Sequence, residues 1–299
     1  MKLTFIMPGV QSHRRARDGR TGETGETGDH AGQPGIRSAY GASPAGPGTA
    51  GRVGRCTRRP VGGSSVRTMA GRSVLITGGT GGLGTAVTAT FVDAGWRVVA
   101  PQRNQPTPHP EPDANAPVRL VADLTDAADA ARVAEVAAGD PEAPLRAVIN
   151  LVGGYAGTGL VHETPVEEFD RMLTLNLRPT HLVTRAALPH LIKAGGGAVV
   201  CVASRAAVAP FPGVAGYVTA KAAVLAFASA VAVEYKTAGV RCNTVLPSVI
   251  DTPSNRASMP DADHSRWVAP AEIASVIHFL ASDESAPTSG ATVPVYGRA

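Results

Sequence analysis

Apolar positions in this chain fall into short blocks separated by glycine-rich or polar turns. Val74-Leu75-Ile76 opens the first block and reads as a strand. Gly78 to Gly84 is a glycine-dense turn, and Thr85-Ala86-Val87-Thr88-Ala89-Thr90-Phe91 reads as the helix behind it. Residues 95–100 predict a second strand, 118–122 a third and 145–152 a fourth, with an amphipathic helix over Ala127–Ala138. Residues 165–176 and 179–194 predict two helices; Thr164 suits the first N-cap and Pro165 its first turn. The almost purely apolar run 198–203 reads as a central strand. A long helix over 214–236, a sixth strand over 240–246, a helix over 269–281 and a last strand over 291–295 complete the pattern. Residues 248–267 are polar without a period and read as an irregular loop or lid.

Strand and helix alternate at the cadence of parallel βαβ units with right-handed crossovers. The fold expected is therefore α/β: one Rossmann-type, doubly wound domain over residues 71–299 with a predominantly parallel sheet. Residues 1–70 break the pattern. They are rich in Gly, Pro and Arg, carry a small Thr-Gly-Glu repeat at 21–26, and read as a disordered low-complexity tail. Met69 stands just before the first strand, so the favoured expectation is a tail that does nothing and is left out of the translated protein; the alternative is an arginine-rich tail that touches anionic partners.

The tail also changes the meaning of the net charge of +4. Residues 1–70 hold 11 Lys and Arg against 4 Asp and Glu, leaving 17 against 20 in the remainder. The domain has no charge-based reason to seek nucleic acid. Cys56, Cys201 and Cys242 lack metal-ligand spacing, and Cys201 sits in an apolar strand as a core residue. His162, His181, His190 and His264 are likewise scattered, so no metal site is expected. No apolar stretch reads as long and uninterrupted enough to span a bilayer, and the expected setting is cytoplasmic.

Candidate chemistry lies at the strand ends. The glycine turn lets backbone approach a bulky group, and the helix behind it offers N–H groups to a phosphate. The second strand runs into Pro101-Gln102-Arg103-Asn104, with no carboxylate to receive a ribose. Arg103 suits a 2′-phosphate, which favours NADP(H) over NAD(H). Asp123 ends the third strand, placed to bond an adenine amino group or to cap the next helix. Tyr217 and Lys221 are four apart on the long helix, where an ammonium would bring the tyrosine closer to a useful pKa. Ser204 closes the preceding strand, where it could polarise a carbonyl. Asn176 stands near a helix break whose carbonyl could hold a relay water.

These motifs resemble the short-chain dehydrogenase/reductase family: Thr77-Gly78-x-x-x-Gly82-x-Gly84, Asp123-Leu124, Asn176, Ser204 and Tyr217-x-x-x-Lys221, over about residues 72–299. The resemblance implies hydride transfer between a nicotinamide and a small carbonyl/alcohol substrate. It makes Asn176, Ser204, Tyr217 and Lys221 catalytic. Tyr217 would move the proton, Ser204 would bond the developing oxyanion, Lys221 would bind the nicotinamide ribose, and Asn176 would position a water. Thr77, Gly78, Gly82, Leu83, Gly84, Arg103, Asp123, Leu124, Asn150, Gly153, Tyr217 and Lys221 would meet the cofactor, with Pro247 and Thr252 at its carboxamide. Family members commonly assemble as tetramers, and the Ala/Val-rich long helix suits a homo-oligomer, tetramer or dimer.

Two departures qualify the resemblance. Asn150-Leu151-Val152-Gly153-Gly154 replaces the family's usual Asn-Asn-Ala-Gly. The lid is similar to that of quinonoid dihydropteridine reductases, as is, more weakly, 153–157. Reduction of a quinonoid heterocycle is thus an alternative, although those enzymes lack the serine and carry an acidic residue after the second strand. A catalytically silent nucleotide sensor or scaffold is the alternative from another class. Trp267 reads equally as pocket lining or lid anchor.

Overall fold

A computed structural model describes residues 71–105, 116–157 and 159–298. The expected tail and residues 106–115, the proline-rich stretch ahead of the third strand, lie outside the described residues. Seven strands form one all-parallel sheet in the order β3-β2-β1-β4-β5-β6-β7. They are β1 Ser73–Thr77, β2 Arg97–Gln102, β3 Val118–Val121, β4 Leu145–Asn150, β5 Gly197–Val202, β6 Val240–Pro247 and β7 Thr292–Val295. The helices are α1 Gly82–Asp93, α2 Ala127–Ala138, α3 Val166–Asn176, α4 Arg178–Lys193, α5 Ala215–Glu234, α6 Pro253–Ser258 and α7 Pro270–Ala281.

The central strands are apolar on both faces because both faces are covered. Leu75, Val148 and Val199 pack with α2, α4 and α5 on one side. Val74, Ile76, Ile149 and Val200 pack with α1 and α7 on the other. Alternate residues of one strand thus feed two separate cores, and the sheet is the shared middle layer of a doubly wound domain.

Four local expectations need correction. Pro165, not Thr164, stands at the N-cap of α3; its carbonyl accepts the Glu168 and Phe169 amides, while Thr164 turns its hydroxyl back towards Gly159 and Leu160. Asp126, not Asp123, caps α2, accepting from the Ala128 and Asp129 amides at 2.9 Å each. The lid is not wholly irregular: Thr252 accepts the Asn255 amide and Pro253 opens α6, a start that proline favours because it has no N–H to leave unpaired. Finally, α5 is long and apolar enough, by length and composition alone, to cross a membrane. Its alanines raise its hydropathy all round, yet Gly216, Ala220, Val224, Ala228 and Val231 are buried within the domain, where α5 meets β5, β6 and α3.

Candidate active site

The sheet order places β1 beside β4, so the chain winds outwards in opposite directions from that junction. Loops leaving the carboxyl ends of β1 and β4 diverge there and open a crevice, the usual ligand position in such sheets. An 840 Å³ cleft occupies it, lined by the glycine loop between Gly78 and Gly84, by Gln102 at the end of β2 with Arg103 and Asn104 beyond it, and by Leu124, Val152 and Gly153.

The glycine loop is shaped by contacts that a side chain would fill. Gly78 has φ +70°, a conformation costly for other residues, and a Cβ on Gly84 would overlap the Gly78 carbonyl. This lets α1 start almost against the strand end. Gly81 precedes α1 without a side-chain cap, and the first turn carries no acidic residue. Its N–H groups and the positive end of the helix dipole are therefore available to an anion in the cleft. Thr77 supports the loop from below: its hydroxyl donates to the Ile149 carbonyl and accepts the Leu151 amide at 3.1 Å.

The expected cofactor residues divide by position. Gly78, Gly82, Leu83, Gly84, Arg103, Leu124 and Gly153 line the cleft. Thr77, Asp123, Asn150, Pro247 and Thr252 do not. Asn150 turns inward, where its amide donates to the Thr184 hydroxyl at 3.0 Å. Asp123 binds the Thr125 amide and hydroxyl, which hold its carboxyl below the usual range, with Arg103 adding to the effect. Thr252 lies against Gly82, so that a Cβ there would meet its methyl at 2.8 Å. Sequence reasoning missed Arg119, which lines the same cleft and reaches Gln102 Oε1 at 3.5 Å. It is paired with Ala100 across β2 and β3, a relation set by strand register.

A second cavity of 450 Å³ is walled by Ser204, Tyr217 and Tyr155, with Arg205, Phe211, Ile250 and Met259 among its other lining residues. Ser204 follows β5, and Tyr217 lies in the first turn of α5. The Tyr155 and Tyr217 rings meet edge to face, 5.1 Å between centroids. Sequence reasoning assigned no role to Tyr155. Here its ring limits how Tyr217 can turn.

Lys221 and Asn176 stand behind Gly153, the residue that belongs to the cleft. A Cβ on Gly153 would lie 2.6 Å from Asn176 Oδ1 and 3.0 Å from Lys221 Nζ. Asn176 is fully buried at the end of α3; its side chain accepts the Gly154 amide at 3.1 Å and donates to the Gly154 and Met172 carbonyls at 3.0 Å each. Its own carbonyl receives the Thr180 hydroxyl at 3.4 Å, beside a break where Pro179 has no amide to give. Lys221 donates to the Val202 carbonyl at 3.0 Å, and burial brings its pKa down to about 8. The expected lowering of the Tyr217 pKa is not observed. Burial pushes the phenol up, and the hydrogen bond with Ser204 offsets only part of that shift.

The lid beyond β6 is braced by its own residues. Arg256 pairs with both Asp251 carboxylate oxygens, and the Trp267 ring packs on His264 at 4.3 Å. Trp267 anchors the lid and does not line the cavity. Cys201 and Cys242 are buried core residues, as expected of Cys201.

The family described as short chain dehydrogenase matches residues 72–263. The chain is 32% identical over 244 residues to 2-(R)-hydroxypropyl-CoM dehydrogenase of Xanthobacter autotrophicus, covering 76% of this chain and 97% of that one. It is 30% identical to D-threitol dehydrogenase of Mycolicibacterium smegmatis over 250 residues, 76% and 92% of the two chains. A short-chain type dehydrogenase/reductase from Mycobacterium ulcerans superposes with a TM-score of 0.69 at 26% identity, covering 76% and 89%. The chain belongs to the short-chain dehydrogenase family and is an oxidoreductase acting on the CH–OH/C=O pair.

Proposed function

We propose that this enzyme transfers a hydride between NADP(H), ahead of NAD(H), and a small carbonyl/alcohol substrate, with Asn176, Ser204, Tyr217 and Lys221 as its working residues. The observation that carries this reading is the convergence of three separate elements, the end of α3, the turn after β5 and the start of α5. Ser204 and Tyr217 share a cavity wall, while Asn176 and Lys221 flank Gly153 at the edge of the cleft.

The glycine loop fits a pyrophosphate, because Gly84 lets α1 start almost against the end of β1, with its uncapped N–H groups at the cleft that the loop lines. Gly78, Gly82, Leu83, Gly84, Leu124 and Gly153 would hold the dinucleotide, and Arg103 with Arg119 would meet a 2′-phosphate. When bound, the nicotinamide supplies or receives the hydride. Tyr217, a phenol protonated at neutral pH and made harder to ionise by its burial, gives a proton to the carbonyl oxygen during reduction. The Ser204 hydroxyl donates to that oxygen as charge gathers on it. Lys221 places a positive charge beside this chemistry, and Asn176 fixes the Gly154 backbone through two hydrogen bonds while a third ties its amide to the Met172 carbonyl. Ser204 on the cavity wall favours a carbonyl substrate over a quinonoid heterocycle.

In this reading residues 71–299 are the working unit. The buried, unpaired Cys201 and Cys242 suit a cytoplasmic setting. The outer side of α5 exposes Ala226, Ala230 and Val233, an apolar stripe that suits a homo-oligomer. Titration of the full chain with NADPH and NADH, followed by turnover with simple aldehydes, tests the proposal. Tight NADPH binding with aldehyde-dependent oxidation supports it. Binding without turnover of any carbonyl would point instead to a nucleotide sensor.

A further inference from the structure

The cavity shared by Ser204 and Tyr217 has an uneven lining. Ala206, Ala209, Phe211, Val249, Ile250 and Met259 make most of it apolar, and among the described residues no Asp or Glu contributes. One cation does: Arg205. It follows Ser204 directly and opens a single 3-10 turn, Arg205–Ala207, held because Ser204 Oγ accepts the Ala206 amide at 3.2 Å. The same turn therefore sets the serine hydroxyl and the base of the arginine side chain.

The guanidinium carbon sits 5.1 Å from the centre of the Tyr296 ring. Contact of this kind steadies the guanidinium and leaves its edge N–H groups to meet an acceptor. Among the described residues, Arg205 has no carboxylate within ion-pair distance, whereas Arg256 nearby is committed to Asp251. A half-buried guanidinium in a largely apolar cavity lacks the hydration of a surface charge, so an incoming oxyanion would gain more from it than in open water.

We propose that Arg205 is a specificity residue and that the substrate is a small carbonyl or alcohol compound bearing an oxyanion group, such as a carboxylate, away from the reacting carbon. The apolar walls take the body of the molecule, Ser204 and Tyr217 meet its reacting oxygen, and Arg205 fixes its anionic end. This rests on the dehydrogenase reading above and deepens it.

The test uses the full-length enzyme with NADPH and two aldehydes of one shape, 4-formylbenzoate and 4-formylbenzamide. The carboxylate is expected to show a kcat/KM about tenfold or more above the amide, mainly through KM. In Arg205→Met the ratio should fall towards one, and Arg205→Lys should restore part of it. Equal use of the two aldehydes by the wild type, or a preference unchanged in Arg205→Met, overturns the assignment while leaving the dehydrogenase reading intact. Should NADPH bind with neither aldehyde reduced, turnover of other carbonyls decides the dehydrogenase reading. Ligand-observed NMR of both aldehydes then decides the Arg205 assignment: carboxylate-selective binding lost in Arg205→Met supports it, and absent or unselective binding overturns it.

Discussion

Lys221 holds its ammonium 3.0 Å from the carbonyl oxygen of Val202, two residues before Ser204. One side chain thus ties the strand end that carries Ser204 to the helix that carries Tyr217. The bond satisfies one ammonium proton, but the group remains 6% exposed, and burial brings its pKa from 10.5 to about 8. Such a group is held in place against its solvation preference.

That strain has a measurable sign. The folded protein binds this proton less tightly than the unfolded chain does, so between pH 8 and 10.5 the unfolded state carries more protons and stability rises with pH. Below pH 8 the penalty is fully present and constant. Lys221→Met removes the titration, and the stability of wild type relative to this variant should therefore rise by about 2 kcal/mol between about pH 7 and 9.5. Urea unfolding of both proteins at the two pH values checks this; a pH-independent difference would refute a depressed Lys221 pKa.

Tyr217 carries the proton in the proposed reaction, and its burial assigns direction to the pH effect. The phenol is protonated through neutral pH, and its raised pKa makes it a poor base there. Alcohol oxidation should accelerate as pH rises above neutral, while carbonyl reduction should be flat until the phenol ionises. Tyr217→Phe should lower kcat by about a thousandfold with NADPH affinity nearly unchanged. Stopped-flow turnover with parallel cofactor titration separates the two effects, and an active phenylalanine variant would remove the assignment.

Arg103, just beyond β2, and Arg119 of β3 both line the cleft. If they share a 2′-phosphate, Arg103→Ala and Arg119→Ala should each weaken NADPH binding by about tenfold and leave NADH within about twofold. Fluorescence titration with both nucleotides reads this directly. Parallel losses for NADPH and NADH would mean that the arginines act on some part common to both.

The fold was legible because its signals are local. Runs such as Ala198-Val199-Val200-Cys201 must be buried on two faces, and glycine-dense turns punctuate them. Tyr217 and Lys221 were legible because helical spacing alone places them on one side. What escaped depends on tertiary placement. Arg119 meets the cleft only through the register of β3 against β2, and Tyr155 and Arg205 face Tyr217 only once three loops converge. The rise in the Tyr217 pKa depends on depth of burial, which four-residue spacing does not encode. The Thr252-Pro253 helix start was a local signal, overlooked among polar neighbours.

The glycine loop gives a prediction about folding that is independent of the reaction. Gly82 and Gly84 both lie in the first turn of α1, but their surroundings differ in kind. A Cβ at Gly84 would overlap the backbone of Gly78 and come within 2.8 Å of Gly79 Cα, atoms fixed by the end of β1. A Cβ at Gly82 would meet first the Thr252 side chain, whose methyl belongs to the lid. Gly84→Ala should therefore cost about 3 kcal/mol, because α1 must shift bodily from the sheet, against about 1 kcal/mol for Gly82→Ala. Chemical denaturation of the two variants without nucleotide measures the difference. Equal losses would mean that the lid is as rigid as the strand end, and that Thr252 is locked on Gly82 as firmly as the loop backbone.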